Sequence, residues 1–331
     1  MPITQPTVSV CMIAYNVEKY IAQAIEGVLR QQTNFPIELV IGEDCSTDAT
    51  REICEYYVQK YPDRIKYLPN KVNMGIGKNH YRTLMSCNSK YVAVCDSDDV
   101  WTDPYKLQYQ IDFLEDNPDY GLVYTDIDCI DEYNNVIIYP SVENIRPRYA
   151  AGNVFFNLLQ GNFINNCTVV FRRELINDYQ GYINPICHDW LLWMRIATRT
   201  KIHYYDARTT QYRIHAGGVT NSAERIKKNV ALVRRQLQDV ILYFNQYYNK
   251  PINKPEKLLL FRKMMALIIH LESFARKAQL LYILPKYFPG MNSIIKLITG
   301  KAKKEQAQTV EHHRENHEDK LIPATKDVSA Y

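Results

Sequence analysis

The chain has 331 residues, of which 46% are hydrophobic, and a formal net charge of +4. This length suits one large α/β domain with an appendage, or two domains. The first residues lack a basic and apolar leader pattern, and no run of about 18 uncharged apolar residues occurs, so neither secretion nor a membrane span is predicted.

Eight cysteines are spread along the chain without paired spacing. Several lie inside apolar runs, where a thiol behaves as a small hydrophobic group. We therefore expect a reduced, cytoplasmic chain.

The charge is distributed unevenly along the chain. Residues 250–304 contain twelve Lys or Arg and two acids, so this segment carries +10 and the rest of the chain −6. Its basic residues alternate with many aliphatic ones, which favours an anionic membrane surface over nucleic acid as the partner. A homo-oligomer through these C-terminal helices is a further possibility, and no nucleic acid partner is expected.

The first third of the chain alternates strand and helix patterns. Strands are predicted at "TVSVCMIAY", "IELVIGED", "IKYLP" and "KYVAVCD", and helices at "KYIAQAIEGVLRQQ", "TDATREICEYYVQKY" and "KNHYRTLMSC". Thr47 or Asp48 is expected to be the N-cap of the second helix. This order predicts a parallel sheet whose strands end at one edge, where ligands bind in open α/β sheets. The polar clusters around Asn16, Asp44 and Asp98 fall at that edge.

The rest of the chain is less regular. A helix is predicted at "DPYKLQYQIDFLEDN", a strand at "GLVYTDIDCID", a helix near "GNVFFNLLQ" and a strand at "NCTVVFRREL". From Ala223 the pattern changes to long amphipathic helices, because apolar residues recur at alternating spacings of four and three from Ile226 to Phe244. Residues 305–331 are polar and are expected to be disordered.

Three carboxylates follow the fourth predicted strand in "YVAVCDSDDVW", at Asp96, Asp98 and Asp99. Acids repel one another unless a positive group lies between them. Mg²⁺ and Mn²⁺ prefer oxygen ligands, and typically take one or two carboxylates while a diphosphate completes the shell. The pattern therefore favours a divalent metal site with a nucleotide. The alternative is a solvated turn in which Asp99 caps the following helix.

Two other residues suit nucleotide binding. Asp44 in "GEDCSTDAT" can accept hydrogen bonds from a base or ribose, and Tyr15 in "IAYN" can stack on a base. The structural alternatives are a turn residue and a core tyrosine, in a chain that has 26 tyrosines.

Together these segments resemble glycosyltransferase family 2, the large inverting family with the GT-A fold. The resemblance is carried by "VSVCMIAYNVEKYIAQAIEGVLRQQ", "IELVIGEDCSTDAT", "NMGIGKN" and "KYVAVCDSDDVWTDPYKLQYQIDFL", over about residues 7–116. "CHDWLLWMRIA" and "YRIHAGGVTNS" are similar to its acidic catalytic motif and its late Tyr-Arg-x-His element. The chain departs from the family at Glu43 for Asp, Cys45 for the usual Gly, and Lys78 where Arg is frequent.

The resemblance implies an α/β GT-A fold with a Rossmann-like nucleotide-binding half, a mixed central sheet and a C-terminal helical region. The resemblance and the patterns above together divide the chain into a catalytic domain at 1–222, a basic amphipathic helical region at 223–304 and a disordered tail at 305–331. Within the first domain, the nucleotide-sugar half extends to about residue 105 and the acceptor half follows it.

The family's functional positions can be carried over residue by residue. Tyr15 would pack on the nucleobase, Asp44 would hydrogen-bond it, and Asp96 would lie near the ribose or sugar. Asp98 would ligate Mn²⁺ or Mg²⁺, with Asp96 and His215 as further candidate ligands; a plain loop histidine is the alternative. The remaining implied positions are Ala14, Asn16, Glu18, Asn73, Lys78 and Ser97 on the donor side, and His188, Trp190 and Trp101 on the acceptor side.

An inverting transfer also needs a carboxylate that takes the proton of the acceptor hydroxyl. Asp189 in "CHDW" occupies the position of the family's catalytic Asp, with His188 where Glu is commoner. A helical pattern follows, so an N-cap role for Asp189 is the structural alternative. The two roles are compatible, because a helix N-terminus stabilises negative charge.

The sequence therefore predicts a metal-dependent inverting glycosyltransferase that uses a nucleotide-diphosphate sugar, with a UDP-sugar favoured. The expected acceptor is a glycan or lipid-linked glycan in cell-surface polysaccharide synthesis, at the inner face of the cytoplasmic membrane. One alternative is a nucleotidyltransferase, which commonly has a glycine-rich basic loop where this chain reads "AYNVEKY". The other is a non-catalytic relative that binds nucleotide sugars.

Overall fold

The computed structural model describes residues 6–179, 188–218, 230–271 and 273–288. Its first part alternates strands and helices as the sequence predicts: β1 (Val8–Ala14), α1 (Ile21–Leu29), β2 (Ile37–Glu43), α2 (Thr50–Lys60), β3 (Ile65–Pro69), α3 (Ile76–Met85) and β4 (Tyr91–Val94). The following elements are β5 (Val100–Trp101), α4 (Lys106–Asp116), β6 (Tyr120–Ile130), β7 (Val136–Ile137), α5 (Pro140–Glu143), α6 (Phe155–Gln160), β8 (Val170–Arg172), α7 (His188–Arg199) and β9 (Lys201–Arg213). Short 3-10 turns lie at Arg146–Arg148, Asn166–Thr168 and Arg173–Ile176.

The nine described strands form one mixed sheet. Their order is β3-β2-β1-β4-β8-β6-β9-β5, and β7 pairs with β6. The first four strands run parallel, whereas β8 runs antiparallel to β4 and β6. β9 pairs parallel with β6 and antiparallel with β5. Because β1, β2 and β4 run in one direction, the polar segments that follow them share one edge, as expected.

The parallel half of the sheet is covered on both faces. β1 and β4 are almost wholly buried, and α1 contributes Ile21, Ile25 and Val28 to the same core. On β2, a Cβ at Gly42 would overlap Oγ1 of Thr83 in α3. The close approach of α3 to the sheet therefore requires a glycine at this position.

Helix α2 begins later than the sequence predicts. Its first helical residue is Thr50 and its N-cap is Ala49, which has no capping side chain, so the prediction of Thr47 or Asp48 as N-cap is wrong. Asp48 still supports the helix start, because its Oδ1 accepts the N–H of Thr50 at 3.0 Å.

The chain divides into two compact units, Met1–Ile252 and Asn253–Tyr331. In the first unit α8 (Val230–Tyr247) packs on α7, and Phe244 stacks on Phe155 of α6 with ring centroids 4.3 Å apart. In the second unit α9 (Lys254–His270) packs on α10 (Phe274–Tyr287). The expected boundary at 222/223, the helix start near Ala223 and the tail at 305–331 lie outside the described residues.

The described ranges also bear on membrane spans and disulfides. They contain no helix that is both long and apolar enough to cross a bilayer. The cysteines found there are all free thiols, at positions 11, 45, 54, 87, 95, 129 and 167.

Candidate active site

The acidic motif lies in the turn that follows β4. The N–H of Asp99 donates to the carbonyl of Asp96 at 3.1 Å, which closes the turn. Asp96 and Asp98 are half-buried, and Asp99 is fully buried. Oδ1 of Asp99 accepts the backbone N–H of Arg213 at 2.9 Å. Asp99 therefore ties this turn to β9 and does not cap α4, whose N-cap is Tyr105.

The end of β9 brings a histidine and an arginine to the acidic turn. Nε2 of His215 lies 3.0 Å from Oδ2 of Asp98, and Nε of Arg213 donates to the Asp98 carbonyl at 2.8 Å. The ring of Tyr20, just before α1, lies edge-on to the His215 ring with centroids 4.9 Å apart. The guanidinium carbon of Arg213 lies 4.7 Å from the Tyr20 ring centroid. Residues that follow β1, β4 and β9 thus meet in one cluster.

Asp96 is held by an amide from the segment before β8. Nδ2 of Asn166 donates to Oδ1 and Oδ2 of Asp96, at 2.9 and 3.0 Å. Asn166 was not predicted as a site residue, because an asparagine in "INNC" carries no motif signal. Only its position just before β8 could have indicated it, and only once β8 was known to neighbour β4.

Burial and mutual repulsion disfavour the charged form of the acids in this turn, although Arg213 and His215 contact it. Burial and the charge of Asp98 raise the pKa of Asp96 to about 7, against the opposing hydrogen bond from Asn166. Burial, and then the charges of Asp98 and Asp96, raise the pKa of Asp99 well above its usual value. Oδ2 of Asp99 is buried and has no hydrogen-bond partner in the described chain. A divalent cation bound to carboxylate oxygens would compensate this charge, so an acidic turn of this kind fits Mn²⁺ or Mg²⁺. Among the described residues, the ligand atoms within 4.8 Å of one another belong to Asp96, Asp99 and Cys167, whereas the expected ligand Asp98 is paired with His215.

Tyr15 and Asp44, the residues expected to bind the nucleobase, differ in exposure. Tyr15 is 46% exposed, so the alternative that it is a core tyrosine is wrong. Asp44 is 2% exposed. Its carboxylate accepts Nδ2 of Asn70 at 2.7 Å and the N–H groups of Met74 and Gly75 at 2.8 and 2.9 Å. Asp44 therefore orders the loop between β3 and α3.

The loop after β1 is joined to the loop after β2. The carbonyl of Ala14 accepts the N–H of Asp44 at 2.9 Å. Oδ1 of Asn16 accepts the N–H of Thr47 at 2.9 Å, and Oε2 of Glu18 accepts the N–H of the α2 N-cap at 2.9 Å. Asn16 has a φ of 52°, a left-handed conformation that asparagine tolerates. In this structure all three donor-side residues hold the two loops together.

The other donor-side positions differ in exposure. Asn73 and Lys78 are exposed, before α3 and in its first part, and Oδ1 of Asn73 accepts the N–H of Gly75 at 3.0 Å. Ser97 is 6% exposed. Cys45 has a φ of 60°, which glycine adopts without strain and which explains why the resembled family usually has glycine here.

Asp189 is the second residue of α7, in its first turn. Its Oδ2 accepts Nδ2 of Asn162 at 3.1 Å. The charge of Asp189 also raises the pKa of Asp96, by less than burial and the charge of Asp98 do.

The tryptophans predicted on the acceptor side are both engaged with the backbone. Nε1 of Trp190 donates to the carbonyl of Leu158 at 2.7 Å, and Trp190 remains half-buried. Trp101 is 2% exposed, and its Nε1 donates to the carbonyl of Cys167 at 2.8 Å. The prediction of an acceptor contact for Trp101 is wrong, because this ring lies in the core. The side chain of His188 lies outside the described residues.

Comparison with known sequences identifies similar proteins. The family model described as "Glycosyl transferase family 2" matches residues 9–179, more than half of the chain. The dTDP-rhamnosyl transferase RfbG of Shigella flexneri is 29% identical over 260 residues, which cover 73% of this chain and 82% of RfbG. Protein Mb1547 of Mycobacterium bovis is 33% identical over 217 residues, which cover 65% of this chain and 61% of that protein. The match thus spans less than two thirds of Mb1547.

Solved structures share the fold. The structure of S. aureus TarS 1-349 in complex with UDP has a TM-score of 0.54 and 16% identity, covering 98% of this chain and 94% of that chain. The mannosyltransferase PcManGT from Pyrobaculum calidifontis, in complex with GDP-Man and Mn²⁺, has a TM-score of 0.50 and 16% identity, covering 91% and 81%. The chain therefore has the α/β GT-A fold that the sequence predicted, with a mixed sheet and C-terminal helices.

Proposed function

Because the chain belongs to glycosyl transferase family 2, we propose that it transfers a sugar, with inversion, from a UDP-sugar or related nucleotide sugar to a glycan or lipid-linked glycan. One observation carries this proposal: Asp98 and His215 meet at 3.0 Å, in the turn that also contains Asp96. An inverting transfer that depends on a metal uses a metal-binding group together with a separate carboxylate base, which Asp189 would supply.

The cation in this proposal is Mn²⁺ or Mg²⁺. Asp98 would ligate it, with Asp96 and His215 as further ligands. Bound there, the cation would offset the charge of the departing nucleoside diphosphate. Other residues of the chain position these ligands: Asn166 donates to the carboxylate of Asp96, and Arg213 donates to the backbone carbonyl of Asp98.

Asp189 is the proposed base. Its carboxylate would take the proton of the acceptor hydroxyl as the acceptor oxygen bonds to the anomeric carbon. The bond from that carbon to the diphosphate breaks on the opposite face, which inverts the configuration. The position of Asp189 in the first turn of α7 favours its negative charge, because the helix N-terminus carries partial positive charge.

The nucleoside would bind at the exposed ring of Tyr15. Lys78 would approach a phosphate as a point charge, without the fork of arginine. The donor-side residues that hold the surrounding loops are Ala14, Asn16, Glu18 and Asp44, and the remaining proposed contacts are Asn73 and Ser97. Similar proteins differ in nucleotide, since TarS is bound to UDP or UDP-GlcNAc, PcManGT to GDP-Man, and RfbG is named a dTDP-rhamnosyl transferase.

Two other functions have less support. A nucleotidyltransferase commonly holds phosphates with a glycine-rich basic loop after its first strand, whereas residues 14–20 here contain no glycine. A non-catalytic relative would lack the metal ligands or the base, whereas Asp98 and Asp189 are both present with supporting hydrogen bonds nearby.

For the second unit we propose contact with an anionic membrane surface. Lys254 and Lys257 are exposed at the start of α9, and Leu258, Ile269 and Tyr282 are exposed apolar residues of α9 and α10. Such surfaces bind anionic bilayers through charge and through insertion of apolar groups. The protein would then act at the inner face of the cytoplasmic membrane in cell-surface polysaccharide synthesis. Association of two chains through these helices is the alternative.

Donor screening tests the proposed function. The full-length chain is incubated with UDP-, dTDP- and GDP-sugars, with a glycan acceptor, and with Mn²⁺, Mg²⁺ or a chelator, and released nucleotide is measured. We expect metal-dependent release of a nucleoside diphosphate from one class of donor. No release from any donor would contradict the proposal. A parallel incubation with nucleoside triphosphates and sugar 1-phosphates tests the alternative, because a nucleotidyltransferase would release pyrophosphate from these substrates.

A further inference from the structure

The segment between α6 and β8 donates hydrogen bonds to the carboxylates of both Asp189 and Asp96. We call residues 161–169 the linking segment. Its Asn162 donates to Oδ2 of Asp189 at 3.1 Å, and its Asn166 donates to both oxygens of Asp96 at 2.9 and 3.0 Å. Two asparagines four residues apart thus hold the proposed base and the donor-side acid.

The orientation of the Asn162 amide is set by the segment itself. Oδ1 of Asn162 accepts the backbone N–H of Ile164 at 3.1 Å, which is an Asx turn. The NH₂ group must therefore face the carboxylate of Asp189. Asn162 binds Oδ2 of Asp189, and in the proposed mechanism Oδ1 is the oxygen that meets the acceptor hydroxyl.

The rest of the linking segment is anchored in the core. Phe163 and Ile164 are each 2% exposed. The carbonyl of Cys167 accepts Nε1 of Trp101 at 2.8 Å, and the carbonyl of Thr168 accepts Nζ of Lys106 at 2.9 Å. A segment held at these points positions its side chains firmly, as a general base requires.

We propose that Asn162 is a positioning residue for the base. It binds Oδ2 of Asp189 and leaves Oδ1 free to take the acceptor proton, at a separation from Asp96 that the linking segment sets. This inference rests on the proposed function, in which Asp189 is the base. A misplacement of a reacting group by about 1 Å can reduce the rate about 100-fold, so loss of this contact should act on kcat.

Asn162→Asp is the decisive variant, because it keeps the shape and the Asx turn but replaces the donor to Asp189 with a carboxylate that repels it. We expect kcat to fall about 10- to 100-fold, with the affinity for the nucleoside diphosphate, measured by calorimetry, unchanged. Asn165→Asp is the matched control. It makes the same charge change in the same segment, at an amide that donates to Tyr149 OH at 2.9 Å, and should retain kcat.

A double-variant cycle separates a positioning role from a structural one. If Asn162 acts through Asp189, Asn162→Asp should cause no further loss in the Asp189→Asn background. Equal kcat for Asn162→Asp and Asn165→Asp, or an independent loss in that background, would overturn the inference. A fall in nucleotide affinity equal to the fall in kcat would also overturn it.

Failure of the proposed function can be told apart from failure of the role of Asn162 alone. If the wild type transfers no sugar from any donor, the proposed function fails. If the wild type transfers sugar and Asp189→Asn does not, but Asn162→Asp is normal, only the role of Asn162 fails. Should Asn162→Asp not fold by circular dichroism, Asn162→Ser replaces it, since a serine hydroxyl can form the turn but is too short to reach Asp189; normal kcat in that variant refutes the role.

Discussion

Nε2 of His215 lies 3.0 Å from Oδ2 of Asp98, although 117 residues separate them in the chain. The contact depends on β9, which ends at Arg213, two residues before His215. Arg213 binds the acidic turn and donates to the side chain of Gln23, so the end of the strand is held beside the turn. The histidine and the acidic motif therefore lie at one site, although they are far apart in the sequence.

Removal of the Asp98 carboxylate should abolish metal-dependent nucleotide binding. Asp98→Asn keeps the size of the side chain but weakens its bond to a hard cation. We expect UDP to bind the wild type more tightly with Mn²⁺ than without it, and the variant equally under both conditions. Calorimetry measures both affinities. Asp128→Asn, at another half-buried acid on the same sheet, is the control; an unaltered metal effect in Asp98→Asn would refute the ligand assignment.

Loss of the Tyr15 ring should weaken binding of donor and free nucleotide alike. A base stacked on an aromatic ring is worth about 1–3 kcal/mol, so Tyr15→Ala should reduce affinity about 5- to 150-fold. Tyr56→Ala is the matched control, because Tyr56 is 55% exposed on α2 and Tyr15 is 46% exposed. If both variants bind nucleotide like the wild type, Tyr15 does not contact the base.

Asp189→Asn should leave a folded protein that binds but does not transfer. The variant is nearly isosteric and can still meet the Asn162 amide through its carbonyl oxygen. It cannot accept a proton, and general-base catalysis is typically worth about 10²–10⁴ in rate. Single-turnover transfer assays and nucleotide calorimetry on the same preparation check this. Near-normal transfer would leave Asp189 with a structural role and direct the search to other acids.

The basic second unit should bind anionic vesicles in a salt-dependent manner. Each basic residue near such a surface contributes about 1 kcal/mol, so Lys254→Gln with Lys257→Gln should weaken binding about 30-fold. Arg30→Gln with Lys60→Gln makes the same charge change at exposed positions of the first unit. Co-sedimentation with phosphatidylserine vesicles at two salt concentrations compares them. Equal binding by both pairs would point to a packing or oligomer surface instead.

Lys106 should make stability rise with pH above neutrality. It is fully buried, and burial lowers its pKa to about 7. An unfolded lysine has a pKa of about 10.4, so between about pH 7 and 10 the unfolded chain binds a proton that the folded chain does not. Folding stability should therefore increase across this window, by at most about 1.4 kcal/mol per pH unit.

Urea midpoints at pH 7, 8 and 9 measure this dependence. Lys106→Met should show a smaller increase with pH than the wild type, because its side chain has no proton to lose. Parallel curves for the two proteins would mean that the folded chain keeps Lys106 charged, through its contacts with Gln110 and the Trp101 ring.

The sequence was sufficient for the parallel half of the fold. Apolar runs of strand length alternated with helical spacings, and these local patterns gave β1 to β4 and α1 to α3 close to their observed bounds. The strand β9 was not predicted. Its side chains are of mixed exposure, and register shifts interrupt its pairing with β6. No simple alternation of apolar and polar residues therefore marks it.

The site was predicted only where residues follow one another in a motif. Asp96, Asp98 and Tyr15 were selected correctly as residues at the sheet edge, because a strand end leads directly to each. Asn166 was not selected, since its contact with Asp96 depends on β8 lying beside β4. Asn162 was not selected, since its contact with Asp189 depends on how α7 packs. Trp101 was misjudged for the same reason: its neighbour Cys167 is distant in sequence.

The carboxylate of Asp44 binds the N–H groups of Met74 and Gly75 and the amide of Asn70, so the loop beside Tyr15 takes its shape from the protein itself. The conformational entropy of this loop is thus lost on folding and not again when a nucleotide arrives. A preordered loop of this kind should let nucleotide donors associate without a slow closing step. Different nucleotides should therefore differ more in their dissociation rates than in their association rates.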